Sequence, residues 1–275
     1  MTVINTNMKS LIVQNAIKVN NRLMATAMEQ LSTGKRINGA KDDAAGLAIS
    51  ENMTAQIRGM NMAVRNANDG ISLAQTAEGA MIEISNMVQR MRELAVQSSN
   101  GTLSEKQRDY LQSEFQALSD QIESTVANTS WNGIKLLNGS NSALAIQVSS
   151  MGSGSSVTVD VNLKDLSLLT VIGESIAGAT GSAAQSKIEK CDDSLDTINQ
   201  ARADLGAVIN RLTSAADNLS NIAQNLSESR SRILDTDYAQ ATAELARTQI
   251  IQQASTAVLA QANQQPQTVL KLLQG

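Results

Sequence analysis

Ile188-Glu-Lys-Cys191-Asp-Asp-Ser-Leu195-Asp-Thr-Ile198-Asn-Gln-Ala-Arg202-Ala-Asp-Leu205 opens a run in which small or apolar residues recur every three or four positions. The run continues through Ile209, Leu212, Ala216, Leu219, Ala223, Leu226 and Arg230 to Ile233, and only Arg202 and Arg230 interrupt it. This spacing places one side chain per half-heptad on a single seam of a helix, and such a seam must meet a partner helix. At 1.5 Å per residue the rod would be roughly 70 Å long, far beyond the usual globular helix. A chain built around such a rod is made to assemble rather than to catalyse.

Working outward, the stretch from Ala44 to Ser99 predicts a second long helix, with Leu73, Ala77, Ala80, Ile84, Met87, Met91 and Leu94 as the matching seam. Asp42 or Asp43 would cap it, and Ser98-Ser99-Asn100-Gly101 ends it. A shorter helix follows, opened by a capping box from Thr102 and Glu105 or from Ser104 and Gln107, with Leu111, Phe115, Leu118 and Ile122 on one face. After Asn128 the period changes. Trp131-Asn-Gly133 opens a turn-rich region, and Leu144, Ile146 and Val148, then Val157, Val159 and Val161, alternate about a flexible tip at Met151 to Ser156. A β-hairpin at about 142–162 is expected, packed on the helices because a lone hairpin is marginal in water. A loop rich in Gly, Ala and Ser from about Gly173 to Ser182 then leads into the long rod.

The two ends mirror one another. A helix from about Thr6 to Leu31, capped by Asn5 or Thr6, carries Ile12, Ala16, Val19, Leu23, Ala27 and Leu31 as a stripe. A last helix, capped near Asp235 to Asp237 and running to Leu273, carries Tyr238, Ala241 and Leu245, then Ile251, Ala254 and Val258. Its other face is crowded with amides, including Gln252, Gln261 and Gln264, and Pro266 is expected to kink or interrupt it. Residues 34–43 read as a linker. Each end has too little partner surface to be stable alone, so the two must pair with each other, with the middle, or with other copies. The fold class is mainly α: long antiparallel rods in coiled-coil-like packing, with one small β-hairpin region between the halves.

Composition agrees. The chain has 275 residues, no His, one Pro, one Trp, one Phe and two Tyr, so its core must come from Leu, Ile, Val, Met and Ala. Without His there is no Ser-His-Asp arrangement and no His-containing zinc site. The single Cys191 falls on the apolar seam, where a thiol packs as a small hydrophobe, and no neighbouring motif activates it. Catalytic, cofactor and metal sites are therefore not expected. The net charge is −4 with the basic residues dispersed, which argues against nucleic-acid binding. No stretch approaches the apolar length of a membrane span, so no membrane insertion is expected. Met1-Thr-Val-Ile-Asn-Thr-Asn7 lacks a basic start and an apolar region. That points to the cytoplasm unless export uses a route without a cleaved signal.

Four runs carry a family resemblance. They are Leu31-Ser-Thr-Gly-Lys-Arg-Ile-Asn-Gly-Ala-Lys-Asp-Asp-Ala-Ala-Gly-Leu-Ala-Ile-Ser50, Gln89-Arg-Met-Arg-Glu-Leu-Ala-Val-Gln97, Trp131-Asn-Gly-Ile-Lys-Leu-Leu137, and Gln249-Ile-Ile-Gln-Gln-Ala-Ser-Thr-Ala-Val-Leu-Ala-Gln-Ala-Asn-Gln-Gln-Pro-Gln-Thr-Val-Leu270. In this order they resemble bacterial flagellin, the subunit of the flagellar filament, over essentially the whole chain. The third departs from the family in having Trp where Phe is more frequent.

The resemblance implies a secreted, extracellular structural protein that leaves unfolded without a cleaved signal and polymerises into the helical propeller of swimming motility. It implies paired terminal helices, 1–43 and 234–275, as an inner, channel-lining domain. Residues 44–233 would form a rod domain carrying the hairpin. Only about residues 138–181 lie between the recognisable halves, so this would be a minimal form without separate outer domains. Polymerisation would involve Ile12, Val19, Leu23, Leu31, Leu245, Ile251, Val258 and Leu270 of the terminal helices, and Gln252, Gln261 and Gln264 would line the channel. The implied partners are other copies of the chain, an export chaperone, the filament cap, hook-junction proteins, and the host Toll-like receptor for flagellin. That receptor would read the region of Gln89, Arg90, Arg92, Glu93 and Leu94, together with Glu114. For structural importance the simpler reading is preferred, with Arg90, Arg92 and Glu93 as ordinary solvated or inter-subunit charges and Leu94 on the heptad seam; for receptor recognition the intact motif favours the family reading. Two rivals are a hook–filament junction protein, which shares the terminal signatures, and a signalling coiled-coil hairpin, which leaves the β-hairpin without a role.

Overall fold

The computed structural model describes residues 6–141, 143–149, 157–178 and 182–274, the side chains of 182 and 265–274 excepted. Among them five helices account for most of the chain: α1 (Met8–Thr33), α2 (Ala44–Ser98), α3 (Glu105–Asn128), α4 (Ser182–Leu234) and α5 (Tyr238–Gln274). Strands β1 (Ser130–Trp131) and β2 (Ile134–Lys135) form one antiparallel pair, and β3 (Ala143–Gln147) and β4 (Thr158–Asn162) another. The flagellin-like expectation of a mainly α chain with one small β region holds.

Local chemistry sets the boundaries. Asn7, one residue beyond the expected Thr6, caps α1 by accepting the Ser10 N–H on its Oδ1 at 3.2 Å; Asn5, the other expected cap, lies outside the described residues. Gly34 ends α1 in the left-handed region (φ +69°), and a Cβ there would lie 2.9 Å from the Tyr238 hydroxyl oxygen. Asp43 accepts the Gly46 N–H at 2.8 Å at the start of α2, while Asp42 accepts from Asn38 and Gly39 and folds the linker. Of the two capping boxes available to α3, Ser104 with Gln107 is the one used. Asp237 caps α5 through the Ala239 N–H at 2.8 Å. Of the two outcomes expected at Pro266, a kink or an interruption, the interruption does not occur: α5 runs on through it.

The chain divides into two compact units. The first comprises Met1–Ala55 and Asn225–Gly275, the second Gln56–Gln224, so the division falls within α2 and α4 rather than at the linkers. In the first unit α1 packs against α5. Lys35 and Asp235 bridge as an antiparallel pair, and Arg36 donates from its backbone to Leu234 O at 2.7 Å and from Nη2 to Ile233 O at 2.6 Å. Those carbonyls belong to the last turn of α4, which has no intrahelical donors for them.

In the second unit Ala67, Gly70, Ala74, Ala77, Met81, Ile84, Val88, Met91 and Ala95 of α2 are buried at alternating three- and four-residue steps, and Leu73 and Leu94 widen that face. The broad face is needed because Cys191, Ile198, Leu205 and Leu212 of α4 and Phe115, Ile122 and Val126 of α3 join the same core. Arg202, the first interruption of the α4 seam, reaches Glu78 at 3.9 Å. Val148, Val159 and Val161 turn the β3–β4 hairpin onto this core; its expected tip at Met151 to Ser156 lies outside the described residues. Asn132 and Gly133 both have positive φ (47° and 81°), the requirement of the two-residue turn that joins β1 to β2.

The segment after β4 is a built part of the core. Leu163, Leu166, Leu169, Val171 and Ile176 are buried. Ser98 Oγ donates to Ile176 O at 2.8 Å, Ile176 N–H to Gln112 Oε1 at 2.6 Å, and Gly173 N–H to Ser119 Oγ at 3.0 Å. Glu174 takes both Lys187 and Lys190 of α4, which hold its carboxyl below the usual carboxylate range, Lys187 contributing more.

Candidate assembly surface

The terminal helices carry two stripes each, and the fold covers only one. On α1 the covered seam is Ser10, Val13, Ile17, Asn20, Met24, Ala27 and Leu31; on α5 it is Ala241, Leu245, Thr248, Gln252, Ser255, Leu259 and Ala262. Both follow the heptad, yet both are studded with small and polar residues. Asn20 is buried and donates from Nδ2 to Thr248 O at 2.8 Å, with Gln252 Oε1 at 3.4 Å. A buried amide in a helical seam weakens packing and fixes which residues face each other.

The uncovered side of α1 is apolar as well. Ile12 is 66% exposed, and Val19 and Leu23 on the same side, with Met8 and Leu11 beside them, are also exposed. On α5, Ile251 and Val258 stand seven residues apart and are both exposed, the latter by 54%, with exposed Ala254 between them. A folded chain rarely leaves such a series in water unless something covers it. Of the residues expected to polymerise, Ile12, Val19, Leu23, Ile251 and Val258 are therefore open, whereas Leu31 and Leu245 belong to the α1–α5 seam. The side chain of Leu270 lies outside the described residues. The stripe read from periodicity joins Ile12, Ala16, Val19 and Leu23 of the open side to Ala27 and Leu31 of the seam, because Ser10 and Asn20 in the first half of the seam carry no hydrophobic signal.

The three channel candidates do not share a face. Nine residues of helix separate Gln252 from Gln261, about half a turn in net rotation. Gln252 meets Asn20 on the α1 side, while Gln261 and Gln264 are exposed and lie on one side.

In the second unit Arg90 forms the centre of a surface ion cluster. Its Nη1 donates to Glu93 at 2.9 Å, and its Nε and Nη2 donate to Glu114 at 2.9 and 2.8 Å. Glu93 and then Glu114 hold the guanidinium still more firmly charged than usual. Arg92 is bound to Asp192 of α4 at 2.6 Å, Gln89 is exposed, and Leu94 is 1% exposed within the core. The structure thus brings Arg90, Glu93 and Glu114 together and assigns Leu94 to packing.

Two arrangements escaped the sequence. Arg108 is buried and donates to Ser98 O and Asn100 O at 3.0 and 3.2 Å, closing the C-terminal end of α2. The Glu174 clamp on α4 is the other. Both join residues distant in sequence or hidden within an ordinary polar pattern. Cys191 is fully buried, and burial first, then Asp192, pushes its thiol up to about 11. It is a packing residue, as its seam position predicts. Among the described residues there is no cluster of metal-ligating side chains, and no helix is long and apolar enough to cross a membrane.

Comparison with known proteins agrees with this architecture. Residues 4–142 match the bacterial flagellin N-terminal helical region, and residues 188–273 match the bacterial flagellin C-terminal helical region. A flagellin of Halalkalibacterium halodurans is 46% identical over 273 residues, covering 98% of this chain and 99% of its own. A flagellin of Bacillus subtilis is 39% identical over 301 residues, with the same two coverages. The crystal structure of Bacillus cereus flagellin aligns with a TM-score of 0.51 at 30% identity, covering 60% of this chain and 94% of that one.

Proposed function

The chain belongs to the bacterial flagellin family, and from that premise we propose that its two terminal helices are the assembling part of the subunit. The chain is a structural subunit, exported and polymerised into the extracellular flagellar filament that drives swimming. The observation that carries the proposal is the pair of uncovered apolar stripes, Ile12, Val19 and Leu23 on α1 and Ile251 and Val258 on α5. Covering each such side chain in the polymer contributes about 1.5–3 kcal/mol before ordering costs. The paired ends, residues 1–43 and 234–275, form the inner, channel-lining domain, and 44–233 the rod domain, without separate outer domains. Gln261 and Gln264 face the channel, where uncharged amides hold a passing chain weakly. Gln252 serves the α1–α5 seam instead.

The subunit acts without catalysis. Its further partners are an export chaperone, the filament cap and hook-junction proteins. The exposed Arg90, Glu93 and Glu114 cluster, with Gln89 beside it, is the surface offered to the host Toll-like receptor, and its accessibility supports that reading. Neither a junction protein nor a signalling hairpin accounts as well for full-length similarity to flagellins.

Seeded elongation tests the proposal. Wild-type chain should extend filament fragments, and chain lacking residues 1–33 or 238–275 should not. Equal growth of the truncated chain refutes the assignment.

A further inference from the structure

Proline has no N–H to donate, so a helix that runs through one leaves a carbonyl four positions earlier without its usual partner. In α5 that carbonyl belongs to Ala262, because the helix continues through Pro266. The open oxygen is met from the other end of the chain: Asn7 Nδ2 donates to Ala262 O at 2.8 Å. The same side chain turns its Oδ1 to the Ser10 N–H and caps α1. One amide thus completes two helices at once.

We propose that Asn7 is a positioning residue for assembly, closing the gap that Pro266 leaves in α5 and so setting the register between the two ends of the chain. The heptad seam cannot set that register alone. Its pattern repeats every seven residues and tolerates a slip of that length, which would move one helix about 10 Å along the other. Pro266 is the single proline of the sequence, so the open carbonyl occurs once and a slipped pair cannot satisfy it. Asn20 adds a second bolt through Thr248 O at 2.8 Å. The two asparagines stand 13 positions apart on α1 and their acceptors 14 apart on α5, consistent with a single antiparallel register. That register decides how the Ile12–Leu23 stripe lines up with Ile251 and Val258, and therefore the composite surface a neighbouring subunit meets.

The inference rests on the terminal pair being the assembling part. Its test is a double-mutant cycle on the full chain, read as the critical concentration for seeded elongation. Asn7→Asp keeps a good capping oxygen and removes the amide donor, so it isolates the contact to Ala262. With Pro266 present it should raise the critical concentration about tenfold. In the Pro266→Ala background, where the residue 266 N–H serves Ala262 O, the same change should cost less than about twofold. An equal factor in both backgrounds, or no effect with Pro266, overturns the proposal. So does failure of both Pro266→Ala and Pro266→Gln to elongate, because a restored helical hydrogen bond should leave the pair intact. Elongation without residues 1–33 refutes the assembly assignment itself, whatever the cycle gives; elongation that needs them, with an additive cycle, refutes only the role of Asn7.

Discussion

The guanidinium of Arg108 donates to the carbonyl oxygen of Ser98 at 3.0 Å, so a buried cation on α3 completes the last turn of α2. Asn100 O receives a second donor of the same group at 3.2 Å. The negative end of a 55-residue helix is a favourable place for that charge. The planar fork suits several carbonyls at once, which an ammonium cannot imitate. Ser98 in turn donates to Ile176 O, so the helix end, α3 and the segment after β4 share one polar junction.

Arg108→Met should therefore destabilise the protein by about 2–4 kcal/mol, because it leaves buried carbonyls unpaired while roughly preserving volume. Arg108→Lys should recover part of the loss. Urea denaturation of monomeric protein measures both. Wild-type midpoints in the two variants would show that the junction contributes nothing.

Glu174 gives the protein a pH dependence of defined sign. Lys187 and Lys190 lower its folded pKa below the unfolded value. The stabilisation is therefore complete above the usual carboxylate range and is lost as pH falls through the folded value. Wild type should lose stability from about pH 5 downward more steeply than Glu174→Gln. Denaturation at pH 7 and at acid pH checks it, and parallel curves for the two proteins would remove the clamp from the account.

The helices were legible because heptad spacing is written directly in residue order. The α4 seam and the Asp43, Ser104 and Asp237 caps follow from local pattern. The contacts that fix the terminal pair were not, for a physical reason: Asn20–Thr248 and Asn7–Ala262 join residues more than two hundred positions apart through single hydrogen bonds. Ser10, Asn20, Thr248 and Gln252 look like solvated positions, so the stripe read from periodicity starts on the open side of α1 and meets the seam only at Ala27 and Leu31. The segment from Leu163 to Ile176 was hidden similarly, its buried apolar residues lacking any helical or strand period.

The Cys191 thiol should be inert while the protein is folded. Raising its pKa from 9.0 to about 11 lowers the thiolate fraction near neutrality about a hundredfold, and burial blocks access besides. Labelling with a thiol reagent at pH 8 should follow global unfolding. Rapid labelling of native monomer would show the surrounding core to be open.

An acidic group on the open stripe should prevent assembly without damaging the monomer. Val19→Asp alters an exposed position, so monomer stability should change by less than about 0.5 kcal/mol. In a covered interface the same carboxylate would be desolvated without a partner. Elongation should fall at least about a hundredfold. Normal filament growth from this variant would place Val19 outside the subunit contact.

Arg90, assigned to receptor recognition in the proposed function, and Leu94 stand one helical turn apart on α2. Arg90 belongs to an exposed ion cluster, where solvent screening leaves such pairs little weight in stability. Leu94 is enclosed by the core, where truncation to Ala leaves a cavity and costs about 2–5 kcal/mol. Arg90→Ala should thus retain a near-wild-type melt and lower the response of a Toll-like receptor reporter to monomer, and Glu114→Ala should do the same by freeing the guanidinium from its orienting carboxylate. Leu94→Ala should melt early, so any fall in its response follows from altered packing. If Arg90→Ala and Glu114→Ala both signal fully with intact folds, the cluster is solvated surface charge and the receptor must read another face.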